Sequence, residues 1–148
     1  MIGVILENVN NDPITYDVFK CLNQLSRKHS CYLFTDSIVA MPVKNKFSIL
    51  QSASAFEHRG VLIGTTLINA QMVNNSLLAK EKYLYLQNID WMNINNLRFN
   101  QLRRVMHHPE LKIIARGSNH YDIIKKAFKE PEHTIINWDA EELERAIL

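Results

Sequence analysis

Apolar runs and helically spaced apolar stripes alternate from one end of the chain to the other. Residues 2–6 form a continuous apolar run, the pattern of a strand buried on both faces. Ile14, Val18, Cys21, Leu22 and Leu25 then recur at helical spacing, which predicts a helix with one buried stripe. Asp12 stands at its N-cap and Pro13 at its first position. Residues 31–35 give a second strand, closed by Asp36 and Ser37, and residues 38–43 a further extended segment broken by Pro42. Phe47, Leu50, Ala53 and Phe56 share one face of a short predicted helix. Residues 61–64 are the third predicted strand, and Thr65 and Thr66 open a helix that carries Leu67, Ala70, Met72 and Val73. Residues 83–86, rich in aromatic residues, make the fourth strand.

A helix follows over residues 96–106, stopped by Pro109, and residues 111–115 give the fifth strand. Ser118 is placed as the cap of a helix whose buried face is Ile123, Ile124, Ala127 and Phe128. Residues 134–136 make the sixth strand, and Asp139 caps a final helix to Leu148. Six strands alternating with helices predict one α/β domain over residues 1–148. It is a three-layer, Rossmann-like domain with a mostly parallel six-stranded sheet of order 3-2-1-4-5-6 and right-handed crossovers.

In a sheet of that order, ligands bind beyond the carboxyl ends of the strands, near the switch point between the first and fourth. The residues expected there are polar. Glu7, Asn8, Asn10 and Asn11 follow the first strand, and Thr65 and Thr66 the third. Gln87, Asn88, Asp90 and Trp91 follow the fourth, and Arg116, Ser118, Asn119 and His120 the fifth. Side-chain amides both donate and accept, which suits sugar hydroxyls or nucleotide edges, and Trp91 offers a face for stacking. The candidate ligand-binding set is therefore Asn8, Asn10, Thr65, Asn88, Asp90, Trp91, Arg116, Ser118 and His120. The competing reading is that strand ends are polar in any such fold because loops face water.

Composition narrows the classes. Hydrophobic residues make up 47% of the 148 and charged residues 22%, as in a folded globular domain rather than a disordered chain. The net charge of +2 is too even for a dedicated nucleic-acid binder. No apolar run reaches the roughly 20 residues of a spanning helix. The first residues lack the basic region of a secretory signal, so a cytoplasmic protein is expected. Cys21 and Cys31 read as buried free thiols of a reducing compartment. GxGxxG, GxxxxGK[ST] and GxSxG are all missing, so no cofactor is expected. His107 and His108 are adjacent and cannot share a helix face, which makes poor metal geometry. With Arg103 and Arg104 they form a basic cluster, read as a solvated helix face before phosphate binding.

The stretch Ile113-Ile114-Ala115-Arg116-Gly117-Ser118-Asn119-His120, followed by Thr134-Ile135-Ile136-Asn137-Trp138-Asp139, resembles the N-terminal, acceptor-side half of a GT-B glycosyltransferase. In that family a similar strand ends in a serine, a helix follows, and a short strand leads to an asparagine-containing linker. Residues 83–91 look like the family's fourth strand, with Asn88 or Gln87 where the family often has a histidine. After the first strand the chain has Glu7-Asn8-Val9-Asn10-Asn11-Asp12 in place of the family's glycine-rich loop. The Asn-rich single domain is also similar to proteins of tailed marine phages. The resemblance implies a glycosyltransferase-like half module that binds a sugar, nucleotide or glycan acceptor and is inactive without a separate donor-domain partner. The alternative is a non-catalytic binding or protein-interaction module on the same fold. A homodimer is a further expectation, through apolar groups expected at the surface: Val9, Ile89, Trp91, Leu143, Ile147 and Leu148.

Overall fold

The computed structural model describes residues 1–87 and 96–148, with the backbone alone for residues 96–98. Its strands are β1 (Ile2–Ile5), β2 (Cys31–Phe34), β3 (Ser48–Leu50), β4 (Val61–Gly64), β5 (Glu81–Leu86), β6 (Leu111–Ala115) and β7 (His133–Thr134). The helices are α1 (Pro13–Leu25), α2 (Leu67–Asn75), α3 (Asn96–Met106), α4 (Ser118–Ala127) and α5 (Ala140–Ile147), with a 3-10 helix at Ser52–Glu57. The strands form one sheet of order β3-β2-β1-β4-β5-β6-β7, and every pairing is parallel. This is the expected Rossmann-like architecture, with seven strands instead of six.

The additional strand, β3, lies where a helix was expected over residues 47–56. Only the 3-10 turn Ser52–Glu57 of that stretch is helical. β3 is an edge strand: Ser48 and Leu50 are exposed and Ile49 alone is half-buried. Three residues at an edge carry too little alternation to outweigh a helical apolar spacing beside them. The order 3-2-1-4-5-6 therefore holds over the observed strands and continues into β7. Val61–Gly64 becomes the neighbour of β1. The switch point thus lies between the ends of β1 and β4, at Glu7 and Thr65, and not at the end of β5.

Alternate strand residues feed two cores. Ile2, Val4, Leu33, Ile63, Tyr83, Tyr85 and Ile114 pack with α1 and α5. Ile5, Phe34, Leu62, Leu84, Leu86 and Ile113 pack with α2, α3 and α4 on the other face. Covering both faces is why the strands read as unbroken apolar runs. Gly3 lacks a side chain for a definite reason. A Cβ there would lie 2.7 Å from the Phe34 ring and 3.2 Å from the His58 imidazole.

Helix starts follow their caps. Asp12 Oδ1 accepts from the Thr15 N–H (2.8 Å), Thr66 Oγ1 from the Asn69 N–H (3.3 Å), and Asp139 Oδ1 from the N–H groups of Glu141 and Glu142. α4 departs from expectation. Its cap is Gly117, which has no side chain to offer, and Ser118 is the first helical residue.

α5 folds back onto α1. Glu144 ties it there, its Oε2 2.9 Å from Lys28 Nζ and its Oε1 2.7 Å from His29 Nε2. Leu143 and Ile147 are 1% and 5% exposed, and Val9 is fully buried through its bridge to Ile38. These three residues were expected at an open surface, so that argument for a homodimer falls; of the described members of the set only Leu148 is exposed. Ile89 and Trp91 lie outside the described residues. Among the described residues, no helix is long and apolar enough to cross a membrane.

Candidate functional site

The switch point is closed by its own side chains. Thr65 Oγ1 donates to the Ile5 carbonyl at 2.8 Å, and Asn69 Nδ2 donates to the same carbonyl at 3.2 Å. Thr66 Oγ1 donates to Glu7 Oε1 at 2.7 Å. Thr65 is thus buried and committed to the backbone of β1. Asn10 Oδ1 accepts from Thr15 Oγ1 at 3.3 Å, which places Asn10 in the entry to α1. Asn8 is exposed on the same loop. His120 is buried with Nδ1 facing the Arg116 N–H at 3.5 Å, and Ser118 is exposed on the first turn of α4. Asn88, Asp90 and Trp91 lie outside the described residues.

A recess of about 40 Å³ lies further along the same rim. It is lined by Ile14 and Asp17 of α1, by Tyr85, Gln87 and Arg116 at the ends of β5 and β6, and by Asn137 and Trp138 after β7. Of the expected set, Arg116 reaches it. Gln87, named among the polar residues after the fourth strand, does so too. Asn8, Asn10, Thr65, Ser118 and His120 do not line it.

The segment after β7 has an unusual backbone. Asn137 and Trp138 are both left-handed, with φ of 48° and 55°. Asn tolerates that region through local hydrogen bonding, whereas a bulky residue there is an outlier. Tyr85 holds the turn. Its hydroxyl donates to the Ile135 carbonyl at 2.6 Å and accepts from the Trp138 N–H at 3.4 Å. The Tyr85 and Trp138 rings meet edge to face, centroids 4.4 Å apart. Burial pushes the Tyr85 pKa up to about 12, so the phenol keeps its proton.

No family model, curated protein or solved structure matches the chain. The recess is read from its own chemistry.

Two of its donors are spent on nothing. Gln87 is 8% exposed and Trp138 4% exposed, and among the described residues neither Gln87 Nε2 nor Trp138 Nε1 has a hydrogen-bond partner. A buried donor left unpaired costs about 1–3 kcal/mol, so such groups call for an occupant. Arg116 is exposed and Asp17 half-buried at the rim, and among the described residues the two make no ion pair. Among those residues no cluster of three or more His, Cys, Asp or Glu is placed to hold a metal. The basic cluster on α3 stays at the surface, with Arg103, Arg104 and His107 exposed and the His108 ring accepting from the Glu110 N–H.

Sequence reasoning missed Ile14, Asp17, Tyr85, Asn137 and Trp138. Tyr85 was absorbed into an apolar strand. The turn carried one usable signal: Asn137 is a residue type that enters the left-handed region readily.

Proposed function

We propose that this chain is a ligand-binding module that takes the polar end of a small hydroxylated molecule, a sugar, in the recess at the ends of β5 and β6. The unpartnered pair Trp138 Nε1 and Gln87 Nε2 carries the reading. The recess holds them beside Arg116 in a turn kept in a costly backbone conformation, and strain of this kind clusters at ligand sites. A ligand oxygen brought to either donor would satisfy it. Ordered water is the rival occupant, since a cavity this size holds it.

The test follows the Trp138 indole N–H by nitrogen-edited NMR during titration with glucose, galactose, mannose and N-acetylglucosamine. Trp91→Phe removes the second indole signal. The Trp138 resonance is expected to move with at least one sugar. No movement with any of them would return the recess to water.

A second reading, the acceptor half of a glycosyltransferase, has Asp17 in its favour. This carboxylate lines the recess with Arg116, where it could accept the proton of an acceptor hydroxyl. Released nucleotide from uridine- and guanosine-diphosphate sugars measures transfer. The chain alone is expected to release none, because a half site supplies few of the charges that stabilise a leaving diphosphate. Turnover by the pure chain that Asp17→Asn abolishes would make it a complete enzyme.

A further inference from the structure

We infer that the group held in the recess is a carboxylate, so that the preferred ligand is a sugar acid and not a neutral sugar. The inference rests on the reading of the recess as a sugar site and refines its ligand class.

Apart from the carboxylate of Asp17 and the mixed amide of Asn137, the lining offers unspent donors. Arg116 has only donors, the indole of Trp138 is a donor, and the unsatisfied atom of Gln87 is its amide nitrogen. A hydroxyl has one proton of its own to place and suits a mixed lining. An ionised carboxylate accepts only, through two oxygens, and matches a guanidinium in bidentate fashion.

The start of α4 follows Arg116 in sequence and, although outside the lining, leaves its first-turn N–H groups without a side-chain cap. α1, α2 and α5 each have a side-chain oxygen on their first-turn N–H groups. α4 has ten residues and is capped by Gly117 without such a bond. Among the described residues, its chain neighbours aside, no atom lies within 4 Å of where a Gly117 Cβ would stand. An N-terminus in that state favours negative charge.

Size and charge narrow the group further. About 40 Å³ accommodates one small planar group, with the rest of the ligand outside. Asp17, also in the lining, repels a phosphate dianion about twice as strongly as a singly charged carboxylate, whose charge Arg116 offsets. It also accepts hydroxyl protons from the ring of a sugar acid.

Calorimetry on the full chain with glucose, glucuronate and glucose 6-phosphate tests the assignment, with the Trp138 indole signal locating each ligand. Glucuronate is expected to bind about tenfold or more tighter than glucose, as a charge-assisted pair outweighs a neutral one. Arg116→Gln should bring that ratio to about one, while Arg103→Gln on α3, outside the recess, should leave it unchanged. Equal affinities for glucose and glucuronate in the unaltered chain would overturn the carboxylate assignment and leave the sugar site standing. Tighter binding of glucose 6-phosphate than of glucuronate would also overturn it. Binding of none of the three, with no neutral sugar moving the indole signal, would remove the sugar site itself and this inference with it. Because Arg116 is exposed, its replacement is expected to fold, and an unchanged circular dichroism melt checks that.

Discussion

A tryptophan at φ 55° is the least comfortable residue described in this chain, and it is held there by one phenol. Left-handed backbone costs an L-residue roughly 1–2 kcal/mol, which the Tyr85 hydrogen bonds and ring contact must offset. Tyr85→Phe keeps the ring and removes both hydrogen bonds. It should destabilise the fold by about 1–3 kcal/mol and blunt the ligand response of the Trp138 indole. A variant of unchanged stability and response would show that the turn holds itself. His58 makes a second prediction at this scale. Its ring is buried beneath Tyr32 and Phe34 and faces the Val61 carbonyl at 3.0 Å. Burial lowers its pKa below the ordinary 6.5. As pH falls below that value, the unfolded chain takes up a proton that the folded chain refuses. The His58 contribution is therefore complete above pH 6.5 and declines on acidification toward the folded value. Urea midpoints measured downward from pH 7 should fall, and His58→Gln should flatten the part of that slope nearest 6.5. A midpoint rising on acidification would contradict the assignment. Neither residue advertised its role in the sequence. Tyr85 reads as one apolar strand residue among several, and the left-handed turn contains no glycine to mark it.

At the scale of elements, legibility tracks how much of an element the core covers. α3 falls where its periodicity and Pro109 place it, over Asn96–Met106. α1 and α5 start at caps that the sequence displays. β3 is hidden because an edge strand of three residues with one half-buried side chain leaves almost no pattern. Its error of identity moved the switch point and drew attention to residues 87–91, although Gln87 still proved part of the recess. α5 is short and owes its place to packing, since isolated helices of this length are marginal. Leu143→Ala should cost about 2–5 kcal/mol, read as a drop in the thermal or urea midpoint. An effect near zero would mean that α5 is not docked in solution. The Glu144 tie has its own pH signature. The hydrogen bond from His29, and then that from Lys28, hold the Glu144 pKa below the usual 4.5. The tie's contribution is present above pH 4.5 and fades as pH falls through the folded value. Hydrogen exchange of the α5 amides should quicken in Glu144→Gln at neutral pH and gain no further from acidification in that window. Unchanged protection would make the tie ornamental.

For the molecule as a whole, the three-layer parallel architecture was legible because both faces of the sheet are covered, so every central strand is apolar throughout. The candidate site was only partly legible. It is assembled from α1, two strand ends and a turn that are remote from one another in sequence, and no local spacing reports such a meeting. The two cysteines test how firmly the assembly is closed. Both thiols are buried, and desolvation raises both pKa values, that of Cys31 to about 11. A thiolate-specific reagent should find neither group in the folded protein, and should label both at the rate of global unfolding as urea is added. Rapid labelling of Cys31 alone would reveal that the start of β2 opens independently.

The return of α5 onto α1 bears on the order in which the protein is made. Synthesis delivers α1 well before α5, with the described strands of the sheet between or before them. Until α5 emerges, the face of α1 bearing Val18, Leu22 and Leu25 lacks part of its cover. A nascent chain that lacks α5 therefore displays an incomplete apolar layer, the kind of surface on which chaperones act and nascent chains aggregate. Closure of this layer waits on α5, and a chain cut short just before Ala140 should be one that proteases cut readily.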